Sequence, residues 1–231
     1  MFFRRMRPRR RVIPGAPVAA ALHGDSPHRV FLLETGVGIG AMEAALAWLL
    51  TGPFADGLVL HPSMVLSAGF SGALVPGLCV GDLILADSVC DVETGFATDV
   101  PTVPCAAAQW RRGRLLTVAS LVGRPEEKGR LAERSGAVAV DMESAVVARM
   151  CHAAGVPFAC LRVISDDVDT PLSKALLDLV GAGRVRVGRL AGAVLRRPGL
   201  IAELIRLASH TRTAARRLAE GLEEFLNSSS R

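Results

Sequence analysis

Tyrosine is absent from the 231 residues, and aromatic side chains make up 4% of them. Any core must therefore be assembled from Ala, Val, Leu and Ile. Lysine is nearly absent too: of 27 basic residues only Lys128 and Lys174 are lysine, a bias read as genome composition. The five cysteines (79, 90, 105, 151 and 160) form no CxxC pair and are odd in number. That excludes a disulfide framework, and the cysteines read as small buried hydrophobes in a reducing cytoplasm. The histidines (23, 28, 61, 152 and 210) share no ligand spacing with them, so no metal is expected. No apolar run reaches the ~18 residues of a transmembrane helix, and "VAAAL" is too short for a signal peptide. A dinucleotide fingerprint is missing as well. Gly36, Gly38 and Gly40 are spaced GxGxG rather than GxGxxG, with no acidic residue ending a second strand ~20 residues on.

What is present is an apolar chain, 50% hydrophobic, of a length that suits one large α/β domain. The net charge of +5 is uneven. "RRMRPRRR" holds six Arg between Arg4 and Arg11, and a second basic group lies between Arg184 and Arg217. Neither is interleaved with aromatics and no reading helix appears, so nucleic acid is not an expected partner. Residues 1–28 read as a basic, irregular segment, 29–170 as the α/β core, and 171–227 as a helical C-terminal part of the same domain.

Along the core, a strand from Arg29 to Glu34 runs into the glycine turn "GVGIG" and a helix, "AMEAALAWLL". A short strand to Ser67 is followed by the small-residue turn "SAGFSGAL". "CVGDLILADSVCD" and "GRLLTVAS" read as further strands, and "RPEEKGRLAERSG" as a polar helix. "AVAV" is a strand, "DMESAVVARMCHAAG" a helix capped by Gly155, and "VPFACLRVISD" a long buried strand. Near-continuously apolar strands alternating with helices predict a mostly parallel sheet covered on both faces, with ligands at the strands' carboxyl ends. That rule gathers Gly36–Gly40, Ser67–Gly72, Asp141–Glu143 and Ser165–Asp167 on one edge. Beyond Asp169 the pattern predicts about three helices. One carries the stripe Val187, Leu190, Ala191, Val194 and Leu195, one starts at Pro198, and the last carries Leu218, Leu222, Phe225 and Leu226.

Carboxylates at strand–helix seams carry the chemistry. Asp141 is placed to cap a helix. Glu143, in that helix's first turn, is expected to be held ionised by the dipole. Asp166 ends a buried strand, where desolvation is expected to push it toward protonation. One carboxyl protonated and one ionised is the division that acid-assisted bond cleavage uses. Asp167 and Asp169 read as turn residues.

"AVAVDMESAVVARMCHAAGVPFACLRVISD", "SAGFSGALVPGLCVGDLILAD" and "LETGVGIGAMEAAL" together resemble the nucleoside phosphorylase and nucleosidase superfamily, most closely its methylthioadenosine/S-adenosylhomocysteine nucleosidase type. The resemblance covers about Val30 to Asp169. It implies a twisted mixed β-sheet flanked by helices, a homo-oligomer, no cofactor and no metal. It also implies roles. Asp166 protonates the purine, Ser165 orients Asp166, Glu143 holds the ribose hydroxyls and Met142 packs on the ribose. Gly38, Ser71 and Gly72 lie along the sugar and its attacker.

Two features depart from the family pattern. Its members open with a strand and a Gly-x-x-x-Glu segment whose Glu serves the nucleophilic water. No such strand is legible before Val30, so the N-terminal strand is expected to be missing, with a catalytically impaired nucleoside-binding protein as one alternative. Phosphorolytic relatives place an Arg where this chain has Ser67, so hydrolysis is favoured over the other alternative, a phosphate-using purine nucleoside phosphorylase. The tail "LRRPGLIAELIRLASHTRTAARRLAEGL" is similar to the hopanoid-associated branch. That branch implies an adenosylhopane-type lipid substrate and an Arg-rich amphipathic surface that touches membrane; the competing reading is a helix packed on the sheet with its Arg in water.

Overall fold

The computed structural model describes residues 11–12, 19–23, 30–36, 38–51, 61–101, 110–172 and 199–228. Two strands, β1 (Arg11–Val12) and β2 (Ala19–His23), precede β3 (Val30–Glu34), and the three form a small antiparallel sheet. Both β1 and β2 fall within the segment 1–28 expected to be irregular, and neither is followed by the Gly-x-x-x-Glu pattern of the strand expected to be missing. The large sheet nonetheless takes none of its described strands from this region. Helix α1 (Ile39–Thr51) follows the glycine turn.

The large sheet comprises β4 (Val65–Ala73), β5 (Leu83–Asp91), β6 (Ala97–Asp99), β7 (Arg111–Thr117), β8 (Ala139–Asp141) and β9 (Phe158–Asp166). Helices α2 (Pro125–Ser135) and α3 (Ser144–Ala154) punctuate its second half, and α4 (Gly199–Ser228) closes the chain. The strand order is β6-β5-β7-β8-β4-β9, and β5 also pairs with β9, so five strands close on themselves. Pairing is mixed: β4–β9, β5–β7 and β7–β8 are parallel, while β4–β8, β5–β9 and β5–β6 are antiparallel. The twisted mixed sheet flanked by helices is therefore present.

Strand β9 shows why the sheet needs cover on both faces. Alternate side chains leave a strand on opposite sides. Phe158, Cys160 and Ile164 join Leu46 and Leu49 of α1 and Val147 and Cys151 of α3. Ala159, Leu161 and Val163 join Ala214 and Phe225 of α4. The same alternation sends Arg162 to the side of Cys160 and Ile164, where a charge demands partners. Cys90, Cys151 and Cys160 are buried as expected, but Cys79 is exposed. Burial pushes the Cys151 thiol up to about 11, which suits packing rather than reactivity.

Two boundaries differ from the sequence reading. The small-residue stretch after Ser67 is not a turn, because β4 continues through it to Ala73. Its glycines serve neighbours that pack over them rather than a change of chain direction. At the C-terminus, the segments read as separate helices after Pro198 and around Leu218 are one helix, α4. Ala214 and Phe225 are buried, while Ile205 toward its start is 65% exposed. The apolar stripe from Val187 to Leu195 lies outside the described residues. Among those described, no helix is long and apolar enough to cross a membrane.

Candidate active site

Asp141 ends β8 and is 6% exposed. Its carboxylate accepts bonds from the Ser144 backbone N–H at 3.2 Å and the Thr117 hydroxyl at 2.8 Å. The Ser144 hydroxyl donates to it as well. It therefore caps α3 as its residue type suggested, but from three residues before the helix begins. The Ncap position itself belongs to Glu143, which makes no side-chain capping bond. The dominant partner of Asp141 is Arg162, whose Nε donates at 2.6 Å. Both side chains are almost wholly buried, and Arg162 Nη2 donates on to Ser67 Oγ at 3.0 Å. A buried guanidinium keeps its charge and must be met by acceptors. Asp141 thus anchors a network joining β8, β9 and β4, a larger role than a cap.

Glu143 stands next to this network. Its Oε1 accepts a 2.8 Å bond from the backbone N–H of Gly38, which brings the first glycine turn to the seam. Gly38 has φ +105°, a conformation that favours glycine. The turn residue Val37 lies outside the described residues. Burial raises the Glu143 carboxyl above its ordinary value, against the Gly38 bond that lowers it; Asp141 raises it and Arg162 lowers it. Burial thus works against the ionised form that the helix end was expected to favour.

The sign for stability follows. In the folded chain Glu143 holds its proton to a higher pH than it does unfolded, so stability falls as pH rises through that window and stays lower above it. Glu143→Gln keeps an acceptor for Gly38 and removes the titration. It is expected to unfold at a higher temperature than the parent at neutral pH, with the gap closing at about pH 4 and below. Thermal unfolding across pH reads this directly; a gap independent of pH would contradict it.

Asp166 ends β9 beside a bulge. The register with β4 steps from Ser71↔Ile164 to Gly72↔Asp166 and skips Ser165. Such an extra residue re-aims side chains at the strand end. Ser165 Oγ lies 2.9 Å from Asp166 Oδ1 and 3.2 Å from the Ser71 carbonyl. The other oxygen, Oδ2, accepts a 2.6 Å bond from Lys128 Nζ, and the Lys128 side chain is 0% exposed. The sequence reading missed Lys128. It counted the residue as composition on a polar helix, yet one of two lysines in an Arg-rich chain was the available signal. The strand end expected to be dry thus sets the Lys128 ammonium against the Asp166 carboxyl.

Gly72 lies beneath this carboxyl. A Cβ there would stand 2.9 Å from Asp166 Oδ2 and 3.3 Å from Oδ1. Gly72→Ala is therefore expected to displace the Asp166 carboxylate and cost on the order of 10- to 100-fold in turnover. Base-release kinetics beside a far-UV spectrum would check it, and parental turnover would show that the close approach is irrelevant. Ser71 is buried, with its hydroxyl 3.4 Å from the Val163 carbonyl. Met142 is half-buried in the bend between β8 and α3. The structure thus joins Ser71, Gly72, Ser165 and Asp166 in one cluster, and Glu143 with Gly38 in a second beside the Asp141–Arg162 pair. Among the described residues, no group of three or more His, Cys, Asp or Glu could hold a metal ion.

The closed mixed sheet brings Asp141 and Asp166 to strand ends, with Glu143 at the helix start beside them. Residues 106–197 match the model of the phosphorylase superfamily. The chain is 31% identical over 165 residues to the 5′-methylthioadenosine/S-adenosylhomocysteine nucleosidase of Actinobacillus succinogenes, covering 61% of this chain and 69% of that one. It is 32% identical over 184 residues to the futalosine hydrolase of Streptomyces coelicolor, covering 68% and 77%. The solved futalosine hydrolase of Helicobacter pylori superposes with a TM-score of 0.69 at 17% identity, over 98% of this chain and 91% of that one. The chain belongs to the nucleoside phosphorylase and nucleosidase superfamily, and is an enzyme of its methylthioadenosine/S-adenosylhomocysteine nucleosidase-like type.

Proposed function

We propose that the protein hydrolyses the N-ribosyl bond of an adenosine modified at its 5′ position, releasing adenine. The observation that carries this reading is Asp166. Its carboxylate is held by Ser165 and Lys128 on a bulged strand end, over a glycine that leaves room for it. A carboxyl fixed in this way can pass a proton to the purine, which turns a poor leaving group into a neutral base. Glu143 faces the ribose in this reading. Oε1 is taken by Gly38, and Oε2 is the oxygen for a sugar hydroxyl. Met142 packs against the ribose, and Gly38, Ser71 and Gly72 border the sugar.

Water is the acceptor in this proposal. Ser67, buried and bonded to Arg162, stands where the phosphorolytic pattern requires an Arg. The names of the relatives support methylthioadenosine, S-adenosylhomocysteine and futalosine as substrates to try. The similarity of the C-terminal tail to the hopanoid-associated branch adds an adenosylhopane-type lipid, and with it membrane contact through the Arg-rich helices. An assay for free base with each of the four, with and without phosphate, tests the reading. Release without phosphate supports it. Release only with phosphate makes the protein a phosphorylase. Binding of an adenosine analogue with no release from any of the four makes it a nucleoside-binding protein.

A further inference from the structure

Lys128 sits on α2, a helix whose sequence is polar and whose other charges are exposed or half-buried, yet its side chain is fully buried. Burying an ammonium is costly unless it is met by strong acceptors. Two are supplied, Asp166 Oδ2 and the Asp167 carbonyl, each at 2.6 Å. The backbone holds the helix start in place: the Leu172 N–H, on the segment following β9, donates to the Gly123 carbonyl at 2.9 Å. The Asp166 carboxylate has an ammonium N–H bonded directly to it. The site that has to protonate a purine therefore contains a proton source one bond behind the carboxyl.

We propose that Lys128 is the positioning residue that stores and relays the proton which Asp166 delivers to the leaving base. The inference rests on the nucleosidase reading of Asp166. In the reaction a proton moves from Nζ to the Asp166 carboxylate, which then gives it to the purine nitrogen and is a carboxylate again. The glycosidic electron pair goes to the departing base. Water gives its hydroxyl to the anomeric carbon, and its remaining proton restores the Lys128 ammonium. Protons and charge balance over the cycle, and no co-reactant other than water is required.

The titratable group within hydrogen-bond distance of Nζ is Asp166 on β9; Asp167, just beyond it, presents its backbone carbonyl. In the relay the needed proton is stored on an ammonium rather than on a carboxyl. Activity of the parent is therefore expected to persist to alkaline pH. In Lys128→Met the proton must reside on Asp166 alone, so activity is expected to decline from about pH 4–5 upward. At pH 7.5 the deficit in kcat is expected to reach roughly 100-fold or more, narrowing to a few-fold at acid pH. Lys128→Arg keeps the ion pair but cannot release its proton, so it is expected to bind an adenosine analogue normally and still fail to restore turnover.

The test is the pH–rate profile of methylthioadenosine cleavage for the parent, Lys128→Met, Lys128→Arg and Asp166→Asn, with thermal unfolding as the folding control. A lysine with only a structural task would be rescued by Arg, and its Met variant would be slow equally at every pH; either result overturns the relay. If the Met variant does not fold, the parent decides: an alkaline limb already falling below about pH 6, in the carboxylate range, overturns it too. If Asp166→Asn turns over like the parent, the nucleosidase reading of Asp166 fails. If Asp166→Asn is inactive while Lys128→Met keeps the parental profile, only the relay fails.

Discussion

Asp166→Asn is expected to lower kcat by about 10²- to 10⁴-fold, the range that a positioned proton donor contributes, while an adenosine analogue still binds. The amide is nearly isosteric with the carboxyl. It can still meet Ser165 and Lys128, so the site's shape is kept. What is lost is the capacity to carry a proton to the base, an interaction made only as the bond breaks, so kcat rather than KM takes the loss. The variant also leaves the Lys128 ammonium against a neutral group, and a modest loss of thermal stability accompanies it. Base release under saturating substrate, with binding measured separately, checks the expectation. Unchanged turnover would remove Asp166 from the chemistry.

The second large effect is on stability. Asp141→Ala strands Arg162, whose side chain is 2% exposed, and removes the acceptor that caps α3. Breaking one side of a buried pair typically costs about 3–5 kcal/mol, a large fraction of the ~5–15 kcal/mol by which domains are stable. The companion variant is Asp141→Leu with Arg162→Met. It replaces both charges by apolar groups of similar size, so it is expected to be markedly more stable than Asp141→Ala. Denaturant unfolding of the single and double variants measures the coupling. A single variant within 1 kcal/mol of the parent would show that the pair contributes little. Any loss of base release in the double variant would then report on Arg162 as a neighbour of Glu143 rather than on folding.

These two carboxylates were equally visible in the sequence, and the structure gives them different tasks. Asp141 was read as a cap because helix capping is local, and the cap is there. Its pairing with Arg162, 21 residues away, depends on strand register and could not be read. Glu143 and Asp166 were marked by the seams they occupy, but the environments assigned to them were not the ones observed. The sequence reading weighed each against its own helix or strand. The Gly38 N–H on Glu143 and the ammonium against Asp166 come from residues 105 and 38 positions distant. The N-terminal strands were not legible for a related reason: strands of two and five residues carry too little periodicity to be seen beside an Arg-rich run.

What the sequence determined by itself is what near neighbours decide. The amphipathic and capped helices, the buried strand β9 with its two-sided cover, and the presence of acid at two strand–helix seams all follow from spacing within a few residues. The combination of motifs also placed the chain in its superfamily. Tertiary structure alone decided which strands pair, where the sheet closes, and which charges meet. Hydrogen-bond registers and ion pairs join residues far apart in sequence, and no local pattern records them. Lys128 is the sharpest instance: in sequence it is a rare residue on a polar helix, and in the fold it is the buried cation against Asp166.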